Sequence, residues 1–302
     1  APHRVCPVGF PPAPPTRYTQ SPMPELRFRD LHSADEFRQV MDLEQQVWGF
    51  TDLNDMVTLP VFTITVKRGA ILIGAYDETD RMVGFVYSIV GMKPPRQVLQ
   101  WSHMLGVLSE YRNSGLGRAL KLAQRDKALA QGYELIEWTY DPLQAMNAHL
   151  NFTKLGVVAE EYHRNVYGES TSVLHKGTPT DRLVAQWWIA TPHVERCVAP
   201  GSVIPVTSHE LTEAAPINAT HAVQAWLANS DLYLARDERR LALEIPMGFT
   251  GMQREAPALA LEWRMQTREA FETYFRRGYR VVDFHLDRPR HRGRYLLAKR
   301  DD

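Results

Sequence analysis

The sequence is poor in cysteine, carries no excess charge of either sign and has no long apolar run. Two cysteines, Cys6 and Cys197, in 302 residues can build neither a disulfide framework nor a cysteine-based metal site, so a reducing cytoplasmic setting is expected. Thirty-five basic residues balance thirty-five acidic ones. That balance leaves out the basic surface by which a protein is drawn to nucleic acid in bulk, and no nucleic-acid partner is expected. The one local basic cluster, Arg288-Pro-Arg-His-Arg-Gly-Arg294, lies between two apolar runs and reads as a solvated hairpin tip. Apolar stretches such as 69–76 are far too short to cross a bilayer, and the N-terminus lacks the charged-then-apolar layout of a secretory signal. No membrane partner is therefore expected. The eleven histidines contain no HExxH spacing, so no metal is expected either. With no GxSxG and no Cys–His arrangement, nothing marks a covalent nucleophile.

What is present is an ordinary globular composition, 44% hydrophobic and 23% charged, over a length that suits two domains or one large one. Residues 1–24 contain Pro7, Pro11, Pro12, Pro14, Pro15, Pro22 and Pro24, and read as an extended or disordered leader. A strand is expected at 25–30. A helix follows Ser33, with Phe37, Val40, Met41, Leu43 and Val47 at helical spacing. A second helix over 55–66 is interrupted at Pro60. The β-rich runs 70–76 and 82–90 form a hairpin across Asp77-Glu-Thr-Asp-Arg81. A strand at 98–107, a helix at 114–130 closed near Gly132, a strand at 133–140 and a helix at 142–154 stopped at Gly156 come next. Strands at 157–166 and 180–189 end a first domain, 25–192. That alternation predicts an α+β fold, a mixed sheet with helices on both faces. In the second domain, 193–302, residues 223–228 look helical and 240–245 strand-like. A strong helix at 258–277 precedes strands at 279–286 and 294–299.

The most informative segment is Leu105-Gly-Val-Leu-Ser-Glu-Tyr-Arg-Asn-Ser-Gly-Leu-Gly-Arg-Ala-Leu120. A strand runs into a small-residue turn and straight into a helix. The first N–H groups of a helix have no internal partners, and glycines let an anion approach them closely. Arg112 and Arg118 flank the turn and can add charge-assisted bonds. The competing explanation is a strand-to-helix turn that uses Gly115 and Gly117 for geometry alone. The segment is neither a Walker A loop nor a GxGxxG fingerprint.

Arg-x-x-Gly-x-Gly after a strand ending Leu-Gly-Val resembles the acyl-CoA signature of the GNAT superfamily of N-acetyltransferases. The element order over 25–189 agrees with that fold. The resemblance implies that N–H groups of Asn113, Ser114, Gly115, Leu116, Gly117 and Arg118, with Arg112, cradle a CoA pyrophosphate. It also implies that Leu105, Gly106 and Val107 pair with the pantetheine arm. The co-substrate would be acetyl-CoA or another acyl-CoA such as succinyl-CoA, and the acceptor a small-molecule amine bound by a monomer or homodimer. The runs Trp138-Thr-Tyr-Asp-Pro142 and Asn147-Ala-His-Leu-Asn-Phe152 are similar to a bacterial GNAT subgroup, some members of which are associated with N-succinylamino-acid metabolism.

Acyl transfer to an amine needs a base. Strand alternation places His103, Leu105 and Val107 on one face, and His103 resembles the base position of some GNAT members. Its alternative is a packed histidine bonded to a backbone carbonyl. Glu137 can relay a proton through water, whereas Asp141 is expected to cap the helix opening at Pro142. Glu44, near Trp48, is placed to face the acceptor. The family's second landmark ends Tyr-x-Lys-x-Gly-Phe, and its tyrosine protonates the thiolate; here the residue is Phe152, so Tyr140, Tyr111 or water is the substitute acid, or the thiolate leaves unprotonated. Asn147 and Asn151 of that helix are candidates for bonds to pantetheine or phosphate, or are simply polar helix positions. Residues 240–299 weakly repeat the second half of the same pattern, without the glycine loop. This degenerate half-repeat is expected to shape the acceptor pocket, with Arg264 offered to an acidic substrate group or else paired on the surface.

Overall fold

The computed structural model describes residues 25–50, 52–168, 177–202 and 213–300. The proline-rich leader lies outside the described residues. After β1 (Arg27–Asp30), Ser33 opens α1 (Ala34–Trp48) with a reciprocal capping box to Glu36, and Gly49 closes it in the left-handed conformation. Pro60 does not interrupt the second helix. It occupies the first turn of α2 (Leu59–Val66), where proline lacks only an N–H that would be unpaired anyway.

β2 (Ile71–Tyr76), β3 (Met82–Lys93) and β4 (Gln97–Val107) form an antiparallel meander. α3 (Leu116–Ala130) carries the chain back to β5 (Leu135–Tyr140), parallel to β4. α4 (Ala145–Ala148) continues as π-helix over His149–Lys154, and β6 (Tyr162–His163), β7 (Arg182–Trp188) and α5 (Pro192–Val198) follow. The seven strands lie in the order β1-β2-β3-β4-β5-β7-β6. The helix expected from Pro142 begins later, at Ala145. Asp141 does not cap it; its Oδ1 accepts from the Leu143 N–H at 2.9 Å, holding a turn ahead of the helix.

The second half comprises β8 (Ala215–Pro216), β9 (Asn218–Val223), β10 (Trp226–Leu232), β11 (Arg240–Pro246), α6 (Phe249–Glu255), α7 (Pro257–Arg276), β12 (Tyr279–Asp287) and β13 (Arg292–Lys299). Residues 223–228, expected as helix, are the turn and flanks of the β9–β10 hairpin. Gln224 sits at φ 55, and the Trp226 ring packs on Gly251 of α6. Burying an indole outweighs the weak helical preference of so short a run.

β13 lies between β12 and β11, as β7 lies between β6 and β5. The two sheets also join. Val158 bridges to Gln186, and Ala159 and Val281 exchange backbone bonds of 3.1 and 2.7 Å. One apolar cluster runs through both halves, from Phe37 and Phe85 to Phe271 and Tyr295. The second half is thus an edge-on extension of the first sheet.

Candidate functional site: the glycine loop and the parting of two strands

β4 leads through a single helical turn at Ser109–Tyr111 into the glycine loop. Asn113 (φ 62) and Gly115 (φ 95) both adopt the left-handed conformation, and the helix starts immediately after Gly115. The Ser114 hydroxyl ties the turn by donating to the Tyr111 carbonyl at 2.7 Å and accepting from the Leu116 N–H at 3.3 Å. A Cβ on Gly117 would have only a Leu105 methyl, 3.8 Å away, within reach. The first turn of α3 is therefore uncovered at Gly117, and its unpaired N–H groups and dipole are available to an anion. Arg112 donates to the Val107 carbonyl at 3.4 Å, beside the turn. Arg118 is differently engaged from expectation: its guanidinium donates to the carbonyls of Val198, at 3.0 Å, and Cys197, fastening α5 along α3.

β4 and β5 pair only at Gln100–Ile136 and Trp101–Glu137, whereas β4 stays paired to β3 as far as Val107. From Ser102 onward the β5-facing edge of β4 is unpaired. Its backbone N–H and C=O groups on that side have no strand partner along the stretch that leads to the glycine loop.

The single face expected for His103, Leu105 and Val107 is broken by a β-bulge. Tyr87 pairs with Met104 and Ser88 with Ser102, so His103 is the extra residue. Ser102 and Leu105 both meet α3, through Lys121 and Gly117 respectively. His103 turns to the other face, its ring 6.2 Å from and nearly perpendicular to Tyr87. His103 is exposed, yet the protein around its ring disfavours the charged form and lowers its pKa below 6.5.

That opposite face carries the remaining acceptor-side candidates. Glu44 is fully buried. Its Oε1 accepts from the Val57 N–H at 3.0 Å while Oε2 has no partner, and burial pushes its pKa up to about 7. Trp48, one turn further along α1, meets Phe85 and Phe50 at 6.1 Å each. Glu137 is already paired, 3.0 Å from Lys93 Nζ, which also holds Glu161 at 2.5 Å.

Three further candidates are drawn into the seam between the halves. The Tyr140 hydroxyl donates to Tyr295, whose own hydroxyl donates to the Pro142 carbonyl at 2.7 Å, and the Phe152 ring lies against both tyrosines. Arg264 is 1% exposed and forks onto Asp141, so it is offered to no cleft. Burial alone would raise the Asp141 pKa; the guanidinium overrides it and holds the carboxyl below its usual range. Asn147 is exposed on α4, and Asn151 is buried with its Nδ2 unpartnered.

Sequence inspection missed Lys121. It is 2% exposed on the sheet-facing side of α3, beside the apolar row Leu116, Leu120 and Ala128. Its place next to Leu120, one position off that row, is the one sequence signal for its burial.

No family model matches the chain, and no curated protein matches it. Solved structures do. An acetyltransferase of the GNAT family from Streptococcus pneumoniae is 19% identical, covering 54% of this chain and 98% of that one at a TM-score of 0.43. The ribosomal-protein-S18-alanine N-acetyltransferase from Escherichia coli is 17% identical, with 55% and 95% covered and a TM-score of 0.44. A NatC complex bound to Gag peptide and CoA is 15% identical, with 54% and 97% covered and a TM-score of 0.44. The chain itself is α+β, and its order from β1 to β7 is the one that the sequence resemblance to the GNAT superfamily leads one to expect.

Proposed function

We propose that this chain is an acyl-CoA-dependent N-acyltransferase that moves an acetyl or succinyl group to a primary amine, such as that of an amino acid, by direct transfer. The observation that carries the reading is the uncovered first turn of α3 at Gly117, standing over the unpaired edge of β4 beyond Trp101. A pyrophosphate on the N–H groups of 113–118 leaves the pantetheine arm to pair along 105–107, with the thioester near the bulge. His103, on the opposite face with a lowered pKa, takes the proton of the incoming amine as the tetrahedral intermediate forms. Backbone N–H groups of the β4 edge stabilise the oxyanion. Glu44 and Trp48 wall the acceptor side.

The test is release of free thiol from acetyl-CoA and succinyl-CoA across a panel of amines, alongside a thermal shift with CoA. Thiol release that depends on the amine supports transfer. A second reading, a CoA-binding module without catalysis, draws on Phe152, which offers no proton to a thiolate. It predicts tight CoA binding and no thiol release. A chain that shows no thermal shift with CoA refutes both.

A further inference from the structure

A cavity of about 590 Å³ opens where the two halves meet, a volume that suits a small molecule. Gln97, the first residue of β4, lines it, and so does Trp188, which pairs with Leu135 at the start of β5. The glycine loop follows the other end of β4. The cavity and the anion-binding turn therefore lie towards opposite ends of the strands. Val158 and Val282, one from each half, add apolar wall, and Arg280 of β12 stands at the rim.

The charges around the cavity are partly spent on one another. Arg300 is paired with Glu160, and Lys93 holds both Glu137, at 3.0 Å, and Glu161, at 2.5 Å. Desolvation and the nearby Arg196 lower the pKa of His193, so its charged form is disfavoured. Arg280 differs from these. It is exposed and makes no ion pair or hydrogen bond among the described residues. Neither the Gln97 amide nor the indole N–H of the half-buried Trp188 has a partner there. Arg264, which the sequence offered to an acidic substrate group, is consumed by Asp141, and Arg280 is left uncommitted at a cavity. A guanidinium presents a planar fork that matches a carboxylate, and an indole presents a flat apolar face with one donor at its edge.

We propose that this cavity is a second ligand site, separate from the glycine loop, for a small aromatic or apolar carboxylate. The carboxylate takes the Arg280 fork, and the apolar body lies against Trp188, Val158 and Val282. The Gln97 amide and the Trp188 N–H remain for a further polar substituent. The site binds and does not react, so it stands independently of acyl transfer.

The test uses the full chain and two probes of like shape, phenylpropionate and phenylpropanol, each followed by ligand-observed NMR titration. Wild-type protein should bind phenylpropionate saturably. It should bind phenylpropanol at least about tenfold more weakly, because the alcohol cannot form the charge-assisted pair. Arg280 is exposed, so Arg280→Met should fold as wild type, and it should bind both probes alike. Trp188→Leu should weaken both probes together. Saturating CoA should leave the phenylpropionate affinity unchanged. No saturable binding of phenylpropionate to wild type, an undiminished preference for the acid in Arg280→Met, or displacement by CoA overturns the assignment. None of these readings uses thiol release, so the result is distinct from that of the transfer assay.

Discussion

Arg264 of α7 places its two terminal nitrogens 2.9 and 2.6 Å from the two carboxylate oxygens of Asp141, at the end of β5, with neither side chain more than 9% exposed. This bidentate pair is the polar centre of the seam. Beside it Arg268 forks onto the buried Asp181, and Tyr162 stacks on Phe271. Removing one partner leaves a charge buried without its mate. Arg264→Ala should cost on the order of 3–5 kcal/mol in chemical denaturation, while Asp141→Leu/Arg264→Met should be clearly more stable than the single variant. A folded Arg264→Ala protein of wild-type stability, with only the acceptor KM raised, would return Arg264 to the substrate.

Glu44 links pH to stability. Its folded pKa of about 7 stands above the 4.5 of an ordinary glutamate, so between those values the folded chain binds a proton that the unfolded chain has lost. The contribution is present in full below pH 4.5 and is lost as pH rises through 7, amounting to about 3 kcal/mol. Glu44→Gln should flatten this slope and make the protein more stable than wild type at pH 8. Parallel urea titrations at pH 5 and pH 8 measure it, and an unchanged slope counts against the shift.

The two loop glycines should separate in effect. Gly115 sits at φ 95, so Gly115→Ala should cost about 1 kcal/mol of stability. A Cβ on Gly117 would make only ordinary contact with a Leu105 methyl, 3.8 Å away, so Gly117→Ala should leave stability nearly unchanged. It should still weaken CoA about tenfold, because the side chain stands where the phosphate approaches. Calorimetric titration of CoA into the folded variant checks this, and wild-type affinity would remove the loop from the site.

His103→Gln should lower kcat/KM about a hundredfold at pH 7. In wild type, activity should fall as pH drops through a value below 6.5, when the imidazole charges, and that acid limb should be missing in the variant. A pH–rate profile shared by both proteins would assign the base elsewhere.

Gly106 tests the packing behind β4. A Cβ there would stand 2.6 Å from Phe85 Cε1, so Gly106→Ala should cost about 1–3 kcal/mol through displacement of that ring. Thermal denaturation reads the loss directly.

Much of this protein was written locally. The capping residues at Ser33 and Gly49, the alternation of the meander and the Asn-Ser-Gly-Leu-Gly turn specify helix ends, strands and a left-handed backbone through contacts a few residues apart. Such signals are legible because the chain that makes them is contiguous. Everything decided by partners distant in sequence was not. The bulge that turns His103 away from Leu105 arises from pairing with β3, and the β9–β10 hairpin exists because Trp226 finds Gly251. Arg264 and Tyr140 looked available for chemistry, yet each met a mate more than a hundred residues away and was drawn into the seam. Sequence alone determined the order of the main elements from β1 to β5 and the strand-turn-helix at the glycine loop; only the tertiary structure decided which polar side chains remain free, because burial and ion pairing belong to the neighbours that folding brings together.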